Sequence, residues 1–260
     1  ESYNVAVGFE AGKLVSTGIQ NTIVGAQAGD ALTTGTRNVA IGYAALGAED
    51  AHGKNIAIGY QALTAQDAGT DARNVAIGYE AGHDVSTGIK NVFVGNSAGE
   101  KVTEGDNNTF LGANAGDALT TGDNNIIIGY NAAAAAVDSD NSVTFGDANI
   151  SAIRCQVQTI SALSDQRDKT DIKDSVYGLE YLESLRPVTF EWNNREESVH
   201  KGTKDIGFIA QELQEYDDEY TKLVLTDNPE RLEASYGRLI PILVQAVQDL
   251  SEKVKALENK

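Results

Sequence analysis

Few residues in this chain could do chemistry. Ser164 and Lys169 stand five apart in Ser164-Asp165-Gln166-Arg167-Asp168-Lys169. A serine hydroxyl is a weak nucleophile near neutral pH and needs a base. The three histidines are His52, His83 and His200, none near Ser164 in sequence, so Lys169 is the local candidate. A lysine accepts a proton only when neutral, and desolvation lowers its pKa by several units. Such a pair therefore works only where it is buried. The same spacing also fits an ordinary helix start, with Ser164 as N-cap and acidic residues in the first turn. Spacing alone leaves both readings open. Cys155 reads as a small buried hydrophobe rather than a reactive thiol, and His200 as an exposed loop residue. Gly-Asp-Asn at 105–107 and 122–124 sets carboxylates at corners, but the calcium-binding nonapeptide is absent. Phosphate loops, dinucleotide fingerprints and a convergent carboxylate pair are also missing. Neither a cofactor nor a metal is expected.

The elements around this pair follow from composition. The chain has 260 residues, 20 Lys+Arg against 38 Asp+Glu, and a formal net charge of −18. That charge argues against nucleic acid or an anionic membrane as partner. One Cys excludes a disulfide framework, and no apolar run is long enough for membrane insertion. A chain that opens on Glu1 reads as a fragment or a processed product. Near residue 150 the composition changes. Of 26 Gly only Gly178, Gly202, Gly207 and Gly237 come later, whereas all 3 Pro and the single Trp192 do.

The first part is a repeat array. Asn followed four residues later by Gly recurs at Asn4, Asn21, Asn38, Asn55, Asn74, Asn91, Asn108 and Asn125, with a worn copy at Asn141–Gly146. The spacing is 17 residues throughout except for 19 between Asn55 and Asn74. Such a period means a solenoid. In each unit an alternating segment reads as a strand, with Val39 and Ile41 on one face and Ala40 on the other. Strands apolar on both faces must be covered on both. One face fills the roll, and neighbouring chains are the economical cover for the other. The glycines allow tight corners. Stacked Asn side chains are expected to form a ladder along the axis.

The N-x-A-I-G-x-x-A pattern of residues 3–147 resembles the head repeats of trimeric bacterial adhesins. That resemblance implies a β-roll in which three chains pack side by side. The expected organisation is a β-roll fibre segment over 1–147, a connecting strand over 148–163 and a further domain over 164–260.

In that last domain three separated motifs occur in order: Gly178-Leu179-Glu180-Tyr181-Leu182 running to Pro187-Val188-Thr189-Phe190-Glu191-Trp192; Gly207-Phe208-Ile209-Ala210-Gln211-Glu212-Leu213; and a terminal helix opening on Leu239-Ile240-Pro241. Together they resemble the intramolecular chaperone domain of phage tail fibres and tailspikes, the S74 self-cleaving peptidases. The resemblance implies an α+β, helix-rich domain that assembles three chains, aids folding of the preceding β-structure and then releases itself. It places the catalytic serine on Ser164, the lysine on Lys169 and the cut between Leu163 and Ser164. Family members usually carry an apolar residue before the lysine; here Asp168 stands there, and a carboxylate favours the charged lysine.

The last helix carries Ile240, Leu243, Val247, Leu250, Val254 and Leu257 at alternating 3-4 spacing, a heptad seam for a trimerising coiled coil. An amphipathic helix packed on its own domain is the alternative. The acidic stretch Glu212–Glu219 reads as a solvated face. The leading expectation is the distal segment of a homotrimeric phage tail fibre, a virion component assembled in the host cytoplasm. Its partners would be two further copies and a host-surface glycan or protein. The alternatives are a bacterial trimeric surface adhesin, expected to end in a β-barrel anchor, an uncleaved fibre with a purely structural trimerisation domain, or a sugar-degrading tailspike.

Overall fold

The computed structural model describes residues 2–154, 156, 162–193 and 201–259. It divides into two compact units, 1–150 and 151–260. Cys155 and His200 lie outside the described residues.

The first unit is a β-solenoid of about eight turns. Its strands are β1 (Val5–Val7), β2 (Thr22–Val24), β3 (Val39–Ile41), β4 (Ile56–Ile58), β5 (Val75–Ile77), β6 (Val92–Val94), β7 (Thr109–Leu111), β8 (Ile126–Ile128) and β9 (Val143–Phe145). They pair in chain order in one parallel sheet, in register one repeat apart, as in Val39↔Ile56. The longer repeat keeps this register, Ile56↔Val75, so its two extra residues are absorbed in the coil after β4.

The middle residue of each inner strand points into the roll. Ile23, Ala40, Ala57, Ala76, Phe93, Phe110 and Ile127 are fully buried, while the residues flanking them, such as Ile77 and Leu111, stay partly exposed. Core volume is traded between two positions. Where the strand offers Ala40 or Ala57, the coil six residues on supplies the buried Leu46 or Leu63. Where it offers Phe93 or Phe110, the coil has Gly99 or Gly116, at which a Cβ would lie 2.6 and 2.3 Å from the ring. Close packing at constant volume explains that exchange.

The asparagine ladder forms, through the backbone. Asn91 Oδ1 accepts from the backbone N–H of Asn108 at 2.8 Å, and its Nδ2 donates to the Gly105 carbonyl at 2.7 Å. Asn21 and Asn108 make the same pair of bonds. Each such residue is buried yet satisfied, clamping its own turn shut and holding the next. The worn copy needs correcting by one residue. Ser142, not Asn141, takes the ladder position, its N–H donating to Asn125 Oδ1 at 3.0 Å. Asn141 occupies the left-handed position before it, at φ 56°, as Arg37 and Asn107 do in their turns.

The second unit is smaller and mixed. It holds α1 (Leu179–Ser184), β10 (Val188–Glu191), β11 (Lys204–Gly207), α2 (Ala210–Gln214), β12 (Val224–Leu225), β13 (Glu233–Ala234) and α3 (Leu239–Glu258). β10 pairs antiparallel with β11, and β12 with β13. Leu185, Leu213, Leu223, Val224, Leu239 and Ile242 form its buried core. The connecting strand expected over 148–163 is not found among its described residues; Ala148 and Asn149 are a turn.

Candidate active site

Ser164 and Lys169 lie at the two ends of a single 3-10 turn, Gln166–Asp168. Asp165 rather than Ser164 is the N-cap: its carboxylate accepts from the Arg167 N–H at 2.9 Å. The Arg167 guanidinium returns to the same group, Nη2 to Oδ2 at 2.6 Å, and holds the Asp165 carboxyl below the usual range. With the cap taken by Asp165, the Ser164 hydroxyl is free for another partner. The turn reverses the chain, and Lys169 Nζ reaches Ser164 Oγ at 2.6 Å and the Ser164 carbonyl oxygen at 3.3 Å. That is hydrogen-bond range for a nucleophile and its base. Asp168 is exposed and makes no ion pair with Lys169. The pair sits in water: residues 162–170 are exposed, Leu163 completely so.

The terminal helix has two working faces. Leu239, Ile242 and Ala246 are buried within their own unit. One turn further, Asp249 Oδ2 accepts from the Leu179 N–H at the start of α1, at 2.9 Å. A Cβ on Gly178 would meet that oxygen at 2.0 Å, so glycine is required there for the approach. The heptad positions Ile240, Leu243, Val247, Leu250, Val254 and Leu257 lie on another stripe and are 44–68 % exposed. The helix packs on its own unit without using the seam.

Part of the acidic stretch is structural instead of merely solvated. Asp217 accepts from the N–H groups of Leu223 at 2.7 Å and Val224 at 3.0 Å and from Thr221 Oγ1 at 2.7 Å. Burial acts to raise its pKa, but these bonds outweigh it and hold the carboxyl low. Asp218 accepts from the Tyr177 hydroxyl and is held down to about 2, chiefly by that bond. Glu212 pairs with Arg186. The signal available in the sequence was Asp-Asp with Thr three residues on, a turn-capping pattern.

Fold and geometry thus define a class: a parallel β-solenoid followed by a small module that opens on a serine–lysine pair. Residues 164–225 match the model of the S74 peptidase family, described as the chaperone of endosialidase. The match begins on Ser164 and ends before α3, so the terminal helix lies beyond it. A β-solenoid leading into a region that matches the S74 chaperone model is consistent with a phage tail fibre carrying such a domain. Self-cleavage belongs to that family as a whole, and the domain is characteristic of phage tail proteins. No curated protein and no solved structure matches the chain. Among the described residues no helix is long and apolar enough to cross a membrane.

Proposed function

We propose that the chain is the receptor-facing segment of a homotrimeric fibre, with residues 164–260 guiding assembly and then cutting themselves free. The observation that carries the chemistry is the 2.6 Å approach of Lys169 Nζ to Ser164 Oγ. The scissile bond is Leu163–Ser164. Neutral Lys169 takes the Ser164 hydroxyl proton as Oγ attacks the Leu163 carbonyl carbon. The carbon–nitrogen bond breaks, and the proton passes to the departing Ser164 amine. Water then hydrolyses the resulting ester, leaving a Leu163 carboxylate and a new chain start at Ser164.

Exposure in one chain supplies the control. A solvated lysine is a poor base because it holds its proton, and burial is what removes the proton. Neighbouring chains closing over residues 162–170 supply that burial, so cleavage reports completed assembly. The exposed seam of α3 supports the same reading, since its apolar stripe remains unused after the helix has packed on its own unit. The half-exposed strand residues of the solenoid offer a second surface of the same kind. Host-surface attachment follows from the fibre reading, with the coil corners as the contact surface.

The test is mass analysis of purified parent protein beside Ser164→Ala and Lys169→Ala. The parent should give two fragments divided between Leu163 and Ser164, and each variant one intact chain. A cut in Lys169→Ala at the parental rate would remove the lysine from the mechanism. A parent that assembles yet stays whole would leave the uncleaved fibre.

A further inference from the structure

Two adjacent turns of the solenoid break a packing rule that four others keep. Eleven residues after the ladder asparagine, the coils place Leu32, Val85, Val102 and Leu119, all fully buried. In two adjacent turns this core position is instead Glu49 and Gln66, both 0 % exposed. A carboxylate in place of Leu or Val costs several kcal/mol unless something compensates it. Gln66 is compensated: its amide donates to the Ser86 carbonyl at 3.0 Å and accepts from Asn74. Glu49 is compensated on one oxygen only, Oε1, which accepts from the His52 N–H at 2.8 Å and lies 3.5 Å from His52 Nδ1.

Three buried side-chain atoms among the described residues have no hydrogen-bond partner: Glu49 Oε2, His52 Nδ1 and Asn55 Nδ2. All three fall within seven residues of one another in sequence. Asn55 Nδ2 is a donor, which a cation does not satisfy; Glu49 Oε2 and His52 Nδ1 can offer lone pairs, and their shared shortage points to an absent ligand. Glu49, Asp50, His52 and Asp67 each bring one ligand atom to a common place, all within 4.8 Å of one another. Asp50 and Asp67 are exposed and His52 is partly so, which leaves an entry path above the buried carboxylate. Lys54, the basic residue of that turn, is held by Asp71 and does not neutralise the cluster.

We propose that Glu49, Asp50, His52 and Asp67 bind a divalent transition-metal cation that staples these two turns. Imidazole nitrogen with carboxylate oxygens suits Zn²⁺ or Mn²⁺ better than the all-oxygen sites of Ca²⁺. Metal–ligand bonds of about 2.1 Å require ligand atoms about 3.4 Å apart in a tetrahedron. Rotation of the exposed Asp50 and Asp67 and of the half-buried His52 onto the fixed Glu49 closes the difference. The His52 N–H on Glu49 Oε1 orients the carboxylate and leaves Oε2 for the ion. The position also explains why Asp67 follows Glu49 by one turn plus one residue: the two turns contribute jointly to one site.

The test is metal content and calorimetric titration of the full chain, stripped with chelator, using Zn²⁺, Mn²⁺ and Ca²⁺ separately. The parent should bind one Zn²⁺ or Mn²⁺ per chain, at least tenfold more tightly than Ca²⁺. Glu49→Leu restores the residue type of Leu32 and should abolish stoichiometric binding. Asp50→Asn and Asp67→Asn, both exposed, leave the core untouched and should each weaken it at least tenfold. These two decide the matter if Glu49→Leu folds poorly. Absence of stoichiometric binding in the parent overturns the proposal, as does unchanged affinity in the surface variants.

Discussion

Asn91→Ala isolates one rung of the ladder that sets the repeat. Asn91 is fully buried, so water does not replace what its side chain does. Its removal orphans the Asn108 N–H, which had Oδ1 at 2.8 Å, and the Gly105 carbonyl, which had Nδ2 at 2.7 Å. A buried group left without a partner costs about 1–3 kcal/mol, so two cost about 2–6 kcal/mol, before any cavity term. That is a large share of the roughly 5–15 kcal/mol that holds an ordinary domain. In a solenoid each turn contacts only its neighbours, so the loss is local. Native-state hydrogen exchange should therefore show faster exchange at Asn108 and the strands β6 and β7, with the distant β2 and β3 little changed. Thr87→Ala, at an exposed coil position, is the control and should stay within about 0.5 kcal/mol. Equal protection in Asn91→Ala and Thr87→Ala would refute the idea that the asparagines act as buried clamps.

Two further expectations concern the second unit. Val247→Asp with Leu250→Asp places charges on the exposed stripe of α3 and leaves Leu239, Ile242 and Ala246 in place. Sedimentation should then give the mass of one chain with native-like circular dichroism, and Leu163–Ser164 cleavage should stop; a cleaved trimer would sever the link between assembly and chemistry. For Asp218, held down to about 2 chiefly by the Tyr177 hydroxyl, the unfolded chain binds the proton more readily, so its contribution is full above about pH 4 and is lost as pH falls towards 2. Urea midpoints measured at pH 5 and pH 2.5 should accordingly differ less in Tyr177→Phe than in the parent, and an equal or larger difference would assign the acid sensitivity elsewhere.

The period was legible because each turn needs the same asparagine at the same place, and a buried amide with two obligatory bonds tolerates few substitutes. Ser142 shows the limit of that signal. A hydroxyl can fill the last rung, and the neighbouring Asn141 then looks like the repeat when it is a corner. The corner residues themselves were hidden. Gln27, Arg37 and Lys54 adopt left-handed backbone, at φ 58°, 60° and 67°, without being glycine. Their conformation is imposed by stacking on the turns either side, which no local propensity reports. The order of the motifs that resemble the S74 domain made the second unit readable. Asp165 as cap was not, because its role is defined by a backbone N–H, and Asp217 as the centre of a loop was signalled only by the short Asp217-Asp218 with Thr221 pattern, which the surrounding acidic run disguises as a solvated face.

Glu49 shows why a break in a repeat carries more information than the repeat. Leu32, Val85, Val102 and Leu119 explain one another: each fills the same space against its neighbours. Glu49 and Gln66 cannot be explained by that space, since a side chain of similar size and no charge was available at both. The two answers differ. Gln66 closes its bonds inside the protein, whereas Glu49, with one oxygen unmet, lies beside a histidine and two aspartates. Two adjacent substitutions that each merely tolerated polarity would have no reason to be followed, at the next residue of each turn, by Asp50 and Asp67. The second carboxylate pair turns an isolated buried acid into one wall of a site. The arrangement falls in the pair of turns where the period lengthens to 19 residues, where the Asn55 rung loses its usual carbonyl partner. A clamp made by an ion would act where the clamp made by asparagine is interrupted.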